Sequence, residues 1–215
     1  MRVKDSSSDR TIETILAAVA RLVVSCPLYK ISIRRVAREA GCSPGTLTYY
    51  FPTIEALLEA ALDDYYRDNQ LLRNSLIESL QSAPHADLES RLGQISSSLY
   101  RALFTRRHWL ALEQLIIHRK GGLAPARRDH WQGPSLDIAV NLLTPLTGLS
   151  PVAIRLAIQS IIYAAVRFAT LPPEELAVVL GEPVDAQGDT PDPRVEEHFS
   201  RLAVGLLCRG HDSSA

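Results

Sequence analysis

Apolar residues return at three- and four-residue intervals along most of this chain, the spacing of helices with one buried face. From about Asp9 to Cys26, the residues Ile12, Ile15, Leu16, Val19, Leu22 and Val23 follow that rule until Pro27 stops it. Ser32 then stands at an N-cap position before IRRVAREA, which puts Ile33, Val36, Ala37 and Ala40 on one face and Arg34, Arg35, Arg38 and Glu39 on the other. Gly41 ends this second helix at the left-handed position. Ser43 caps a third, PGTLTYY, with Pro44 in its first turn, where a missing N–H costs nothing. Two short helices joined by a few residues including glycine make a helix-turn-helix, in which the first holds the second at a fixed angle.

Pro52 ends the third helix and Thr53 can cap the next. A helix of about 28 residues is expected from there, with Leu57, Leu58, Ala61, Leu62, Tyr65, Leu72, Leu76 and Leu80 at helical spacing, until SAPHAD breaks it. Further helices are expected at about 86–104, 107–119, 126–146, 151–170 and 194–208, most of them separated by Pro or Gly. The tract GEPVDAQGDTPDP, rich in Gly, Pro and Asp, reads as a mobile loop. No run alternates with period two, so the fold class is all-α with about nine helices and no internal repeat.

Composition narrows the class. With 215 residues, 46% hydrophobic and 22% charged, the chain reads as a globular protein of one or two domains. No uninterrupted apolar run reaches the roughly 18 residues that span a bilayer, and the first ten residues lack the apolar stretch of a signal peptide. A cytoplasmic location without membrane contact is expected. Cys26, Cys42 and Cys208 are odd in number and far apart, which favours buried free thiols over a disulfide framework or a metal site. The formal net charge of -1 hides an asymmetry: residues 1–50 hold eight Lys or Arg against four Asp or Glu, and the remainder is acidic. A basic first quarter on an acidic body suits a protein that meets a polyanion at one end.

The stretch SIRRVAREAGCSPGTLTYYFPTIEALLEAAL, residues 32–62, resembles the DNA-binding signature of the TetR family of transcriptional regulators. The resemblance covers about 50 residues from Thr11 to Leu62, and it implies a DNA-binding domain at 1–52 and a larger helical effector-binding and dimerisation domain at 53–215. The third helix then becomes the one that enters the major groove. Gly45 and Thr46 are small enough for close approach, Thr46 and Thr48 can bond base edges or touch a thymine methyl, and Tyr49 can reach a base or a phosphate. Ser43 and Pro44 open that helix and are counted with it. Tyr50 and Thr53 resemble family positions that clamp phosphates. Ser32, Arg34, Arg35 and Arg38 would cross the backbone and fix register without reading sequence. Leu47 and Phe51 are assigned to the small core with Ile15, Val19, Val36 and Ala37. The family often carries an aromatic residue where Thr48 stands and a Lys where Ile54 stands, so base preference is open and one expected phosphate contact is missing.

The resemblance further implies a homodimer on a palindromic double-stranded operator and a small-molecule effector. The apolar helices near 151–170 and 194–208, with Ala157, Ala164, Ala165, Ala203 and Gly205 allowing close approach, are the expected interface. Tyr100, Phe104, Trp109, Leu112, Ile116, Trp131 and Tyr163 could line an apolar effector pocket, with Glu113 and His118 among its polar groups. An effector that prefers a different spacing of the two DNA-binding heads would release the operator, making the protein a ligand-responsive repressor. Two other functions fit a helical chain less well. A protein-binding adaptor with a degenerate head would lack salt-dependent, sequence-preferring DNA binding. An enzyme would need a motif such as G-x-S-x-G, H-E-x-x-H or a glycine-rich phosphate loop, and the chain has none; no cofactor or metal is implied.

Overall fold

The computed structural model describes residues 5–68, 78, 88–184 and 190–208. Its principal helices are α1 (Asp5–Ser25), α2 (Ile33–Ala40), α3 (Pro44–Tyr50), α4 (Ile54–Asp68), α5 (Leu88–Thr105), α6 (Arg107–Lys120), α7 (Gly133–Thr147), α8 (Pro151–Ala169), α9 (Pro173–Leu180) and α10 (Pro193–Leu207). A one-turn helix at Pro125–Arg127 and a π-helical run at Arg128–Gln132 lead into α7. The described residues contain no strand, so the all-α class holds with one helix more than the nine expected.

The addition is α9. The pair Pro172 and Pro173 reads as a separator, yet Pro173 occupies the first turn of a helix, where proline is tolerated. Only Leu176 of α9 is buried, while Val178 and Val179 are exposed, so no apolar stripe announces it. The long fourth helix is seen from Ile54 to Asp68; its expected continuation through Leu72, Leu76 and Leu80 lies outside the described residues.

The chain divides into two compact units, Met1–Gln70 with Ala111–Gly122, and Leu71–Leu110 with Leu123–Ala215. α6 begins in the second and ends in the first. In the first unit, Ile15, Val19, Leu22 and Val23 of α1, Val36 and Ala37 of α2, Leu47 and Phe51, and Leu57, Leu58 and Leu62 of α4 are all buried. Each large apolar side chain among them contributes about 1.5–3 kcal/mol by leaving water. Polar ties join α4 to the end of α6: Glu55 pairs with Arg119 at 3.2 Å and Glu59 with Lys120 at 2.6 Å, and the Tyr66 hydroxyl donates to Glu113.

The second unit is built on α5 and α10. Tyr100 stacks on Phe199 with centroids 4.9 Å apart, and Phe168 meets Phe199 edge-on at 5.7 Å. Gly93 lets the helices come close, since a Cβ there would stand 2.4 Å from Ser200 Oγ. Arg101 pairs with Glu196 at 2.7 Å, and the Ser97 hydroxyl donates to the Glu196 carbonyl at 3.3 Å.

α8 is the one described helix long and apolar enough, by length and composition, to cross a membrane. Its apolarity has a packing cause: Ile154, Ala157, Ile161, Ala165 and Ala169 are buried, while Arg155 pairs with Asp137 and Arg167 with Glu175. Ala157, Ala165 and Ala203 are thus occupied inside their own unit. The outward side of α8 carries Val152, Leu156 and Tyr163 instead, all more than half exposed. The three thiols are half-buried rather than buried. Of the expected mobile loop, 185–189 lies outside the described residues, and Arg194 bonds both Glu182 and Asp192 beside it.

Candidate nucleic-acid interface

Local capping fixes the backbone from Ser32 to Ala56. Ser32 accepts a hydrogen bond from the Arg35 N–H at 3.4 Å and starts α2. Gly41 ends α2 at φ 69°, a left-handed conformation that residues with a Cβ rarely adopt. Ser43 Oγ accepts from the Thr46 N–H at 2.9 Å, and Pro44 sits in the first turn of α3. Thr53 Oγ1 accepts from the Ala56 N–H at 3.1 Å and starts α4. The three hydroxyls each accept from a backbone N–H that the helix itself leaves unpaired, and Gly41 donates its own N–H to carbonyls at the end of α2.

The caps leave α3 with one buried residue, Leu47, while Pro44, Gly45, Thr46, Thr48 and Tyr49 are exposed. Tyr49 is 81% exposed, so most of this large aromatic side chain is left uncovered on a short helix. A Cβ added to Gly45 would meet only Ser43 Oγ at 3.7 Å, so the fold has no need of a glycine there. Ser32, Ser43, Arg34, Arg38 and Thr53 are exposed, Arg35 and Tyr50 half-buried, and Phe51 is buried with Leu47 as the pattern requires. Among the described residues, Arg34, Arg35 and Arg38 have no acidic partner, so their charge is available to a polyanion.

The hydroxyls are partly committed. Thr48 Oγ1 donates back to the carbonyls of Pro44 at 3.1 Å and Gly45 at 3.2 Å, which turns its methyl rather than its proton outward. Thr46 Oγ1 and Ser43 Oγ are hydrogen-bonded at 2.8 Å, and either hydroxyl can donate. The Ser8 hydroxyl donates to Tyr50 at 3.5 Å, leaving the phenolic proton to donate elsewhere, and the Tyr49 and Tyr50 rings meet edge-on at 5.1 Å. Ser8 is invisible to a reading by local pattern, being 42 residues from its partner.

The residues expected to meet an effector are divided between the two units. In the body unit, Tyr100 and Phe104 are neighbours with centroids 6.3 Å apart, and the Arg107 guanidinium lies 4.5 Å over the Phe104 ring. Tyr100 is fully buried and its hydroxyl has no hydrogen-bond partner among the described residues. Burial, and then the charges of Asp192 and Glu196, hold that phenol protonated well above its ordinary range. Trp109 is buried, whereas Tyr163 is 61% exposed on the outer side of α8. In the head unit Leu112 is buried, Ile116 half-buried and His118 exposed, and Glu113 accepts the Tyr66 hydroxyl. The Trp131 side chain lies outside the described residues. No group of three or more His, Cys, Asp or Glu among the described residues is placed to hold a metal ion.

Comparison with known proteins gives three findings. Residues 15–61 match the family model of bacterial regulatory proteins, tetR family. No curated protein is significantly similar to the chain. Solved structures share the fold over nearly the whole chain. A protein of Mesorhizobium loti MAFF303099 described as a TetR-family transcriptional regulator is 19% identical, covering 94% of this chain and 98% of its own, with a TM-score of 0.60. The transcriptional regulator FadR of Bacillus subtilis, in complex with stearoyl-CoA, is 18% identical over 91% of this chain and 97% of its own, TM-score 0.54. NalD, the secondary repressor of the MexAB-OprM multidrug efflux pump in Pseudomonas aeruginosa, is 18% identical over 96% and 100%, TM-score 0.50.

Proposed function

The chain carries the helix-turn-helix head of the tetR family of bacterial regulators, and on that premise we propose that it is a ligand-responsive transcriptional repressor that binds a palindromic operator as a homodimer in the cytoplasm. The observation that carries the reading is α3: a helix with Leu47 as its single anchor and Pro44, Gly45, Thr46, Thr48 and Tyr49 exposed on it. Thr46, Thr48 and Tyr49 read base edges, with Thr48 offering its methyl to a thymine methyl. Ser32, Arg34, Arg35, Tyr50 and Thr53 position the head on phosphates. Residues 1–52 act as the DNA-binding part and 53–215 as the effector-binding and dimerisation part.

The outward apolar residues of α8, Val152, Leu156 and Tyr163, with Leu206 of α10, support a dimer through these two helices. Two heads held about 34 Å apart then face successive major grooves. The effector enters an apolar site near Tyr100 and Phe104, where a buried hydroxyl awaits a polar partner. α4 follows α3 after only Phe51, Pro52 and Thr53, and Glu55, Glu59 and Tyr66 tie it to α6. An effector that favours a different position of α4 therefore shifts the population of dimers away from the operator-binding spacing. Selecting genomic fragments bound by the full chain tests the reading. One palindrome should be enriched, bound with an affinity that falls steeply with salt. Its affinity should drop with some member of a panel of lipophilic compounds, long-chain acyl-CoA included because a protein of the same fold binds stearoyl-CoA. Binding that prefers no sequence would refute the regulator, and tight ligands that leave operator affinity unchanged would refute the switch.

A further inference from the structure

One cation of the basic head is already engaged. Arg21, on the third turn-pair of α1, donates from Nε to Glu39 Oε1 at 2.7 Å and from Nη2 to the Glu39 main-chain carbonyl at 3.3 Å. Glu39 is the penultimate residue of α2, two positions before the left-handed Gly41 that turns the chain toward α3. The neighbouring carbonyls are also occupied: Ala37 accepts from the Cys42 N–H at 2.9 Å and Arg38 from the Gly41 N–H at 3.3 Å. The exit from α2 is therefore bonded at three successive carbonyls, and the third bond comes from another helix.

The pair does little for overall stability. Its side chains are 56% and 37% exposed, and solvent screens such surface pairs, while the apolar contacts of α1 and α2 persist without it. What it fixes is direction. We infer that Arg21 is a positioning residue for the recognition helix: by gripping both the carboxylate and the carbonyl of Glu39, it sets the end of α2 and with it the angle at which α3 leaves. The inference rests on the reading that α3 meets DNA.

The sign of one substitution decides between positioning and plain charge. Glu39 is an acid on a DNA-binding head, so if only charge mattered, Glu39→Ala would remove repulsion and strengthen binding. Positioning requires the reverse. With the selected operator fragment and the full chain, Arg21→Gln and Glu39→Ala should each weaken binding by roughly three- to thirtyfold. The slope of log affinity against log salt should stay as in the parent, and Glu39→Gln, which keeps an acceptor oxygen, should fall between parent and Glu39→Ala. Tighter binding by Glu39→Ala, unchanged binding by both single variants, or a slope about 0.9 shallower in Arg21→Gln overturns the inference. Amide exchange tests the brace without DNA. Residues 41–50 should exchange faster in Glu39→Ala while α1 keeps its protection, and unchanged exchange there overturns the brace even if the protein binds no operator.

Discussion

The head and the body hold their polar groups in different ways. From Ser32 to Ala56 the hydrogen bonds that cap and close the helix ends span three or four residues: Ser43 to Thr46, Thr48 to Pro44, Thr53 to Ala56. In the body they span the chain, as where Arg101 meets Glu196 across 95 residues. The head thus builds an outward face from short-range capping, over a core to which α3 gives only Leu47 while α1 and α4 each give three or more residues. The body builds an interior from stacked rings, and its polar bonds tie α5 to α10. The contrast teaches how each part treats its aromatic residues: the head leaves Tyr49 uncovered, and the body encloses Tyr100 and Phe199.

If that division is right, the largest effects come from emptying each core and stay within its unit. Phe199→Ala should cost about 3–5 kcal/mol, because it removes the ring that stacks on Tyr100 and meets Phe168. Leu47→Ala should cost about 2–5 kcal/mol, because Leu47 is the sole buried residue of α3. Denaturant melts give the sizes and amide exchange gives the location. Loss of protection confined to the unit that carries the change is expected; equal loss throughout would dissolve the distinction between head and body.

Next in size are changes that touch only the uncovered face. Thr46→Ala and Tyr49→Ala should each relax discrimination between operator sequences by about 1–3 kcal/mol. Both residues are exposed, so the melting temperature should hardly move. Arg35→Ala should instead weaken all sequences about equally and lower the salt slope by about 0.9. Binding assays on a set of operator variants separate the two patterns. Unaltered preference in both Thr46→Ala and Tyr49→Ala would remove α3 from the groove.

The same difference in range explains what the sequence disclosed. Ser32, Gly41, Ser43, Pro44 and Thr53 act on residues a few positions away, so the caps, the turn and the outward face of α3 are readable from spacing alone. Leu47 and Phe51 fall to the core by the same logic. The grip of Arg21 on Glu39 leaves no local signal, since the two stand 18 residues apart. In the body the small residues of α8 and α10 suggest close approach but do not say to what. Ala157, Ala165 and Ala203 turn inward, and Tyr163, about 200° around α8 from Ile161, turns outward. Hydropathy cannot separate an apolar side chain facing its own core from one facing solvent or a second copy.

Glycine exchanges sharpen the contrast at about 1 kcal/mol. Gly41→Ala should destabilise by about that much through backbone strain alone, since its φ is 69° and an added Cβ would meet nothing within 4 Å. Gly93→Ala in the body has ordinary backbone and a crowded Cβ. Its gain in helix propensity, about 0.8–1.0 kcal/mol, is offset by the shift imposed on Ser200. In a Ser200→Ala background the offending oxygen is gone, so Gly93→Ala should become stabilising there. Urea melts of the two single variants and the double variant check the sign. A Gly93→Ala effect identical in both backgrounds would mean that α5 and α10 do not meet at this point.

The smallest effect bears on what the body encloses. The Tyr100 hydroxyl is buried without a partner, so Tyr100→Phe removes a desolvated group while keeping the ring on Phe199; stability should stay within about 1 kcal/mol of the parent and move upward. The pH dependence carries the sharper signature. A phenol held protonated above its ordinary range contributes stability that is complete below about pH 10 and is lost as pH rises further, because the unfolded chain ionises first. Asp192 acts at the other end: its bond from Arg194 lowers its proton affinity, and that contribution declines as pH falls through the carboxylate range. Tyr100→Phe should therefore flatten only the alkaline limb of the body's stability curve, followed by circular dichroism in urea. If the limb is unchanged, the phenol ionises alike in the folded and the unfolded chain, and the hydroxyl is not held away from water as its burial requires.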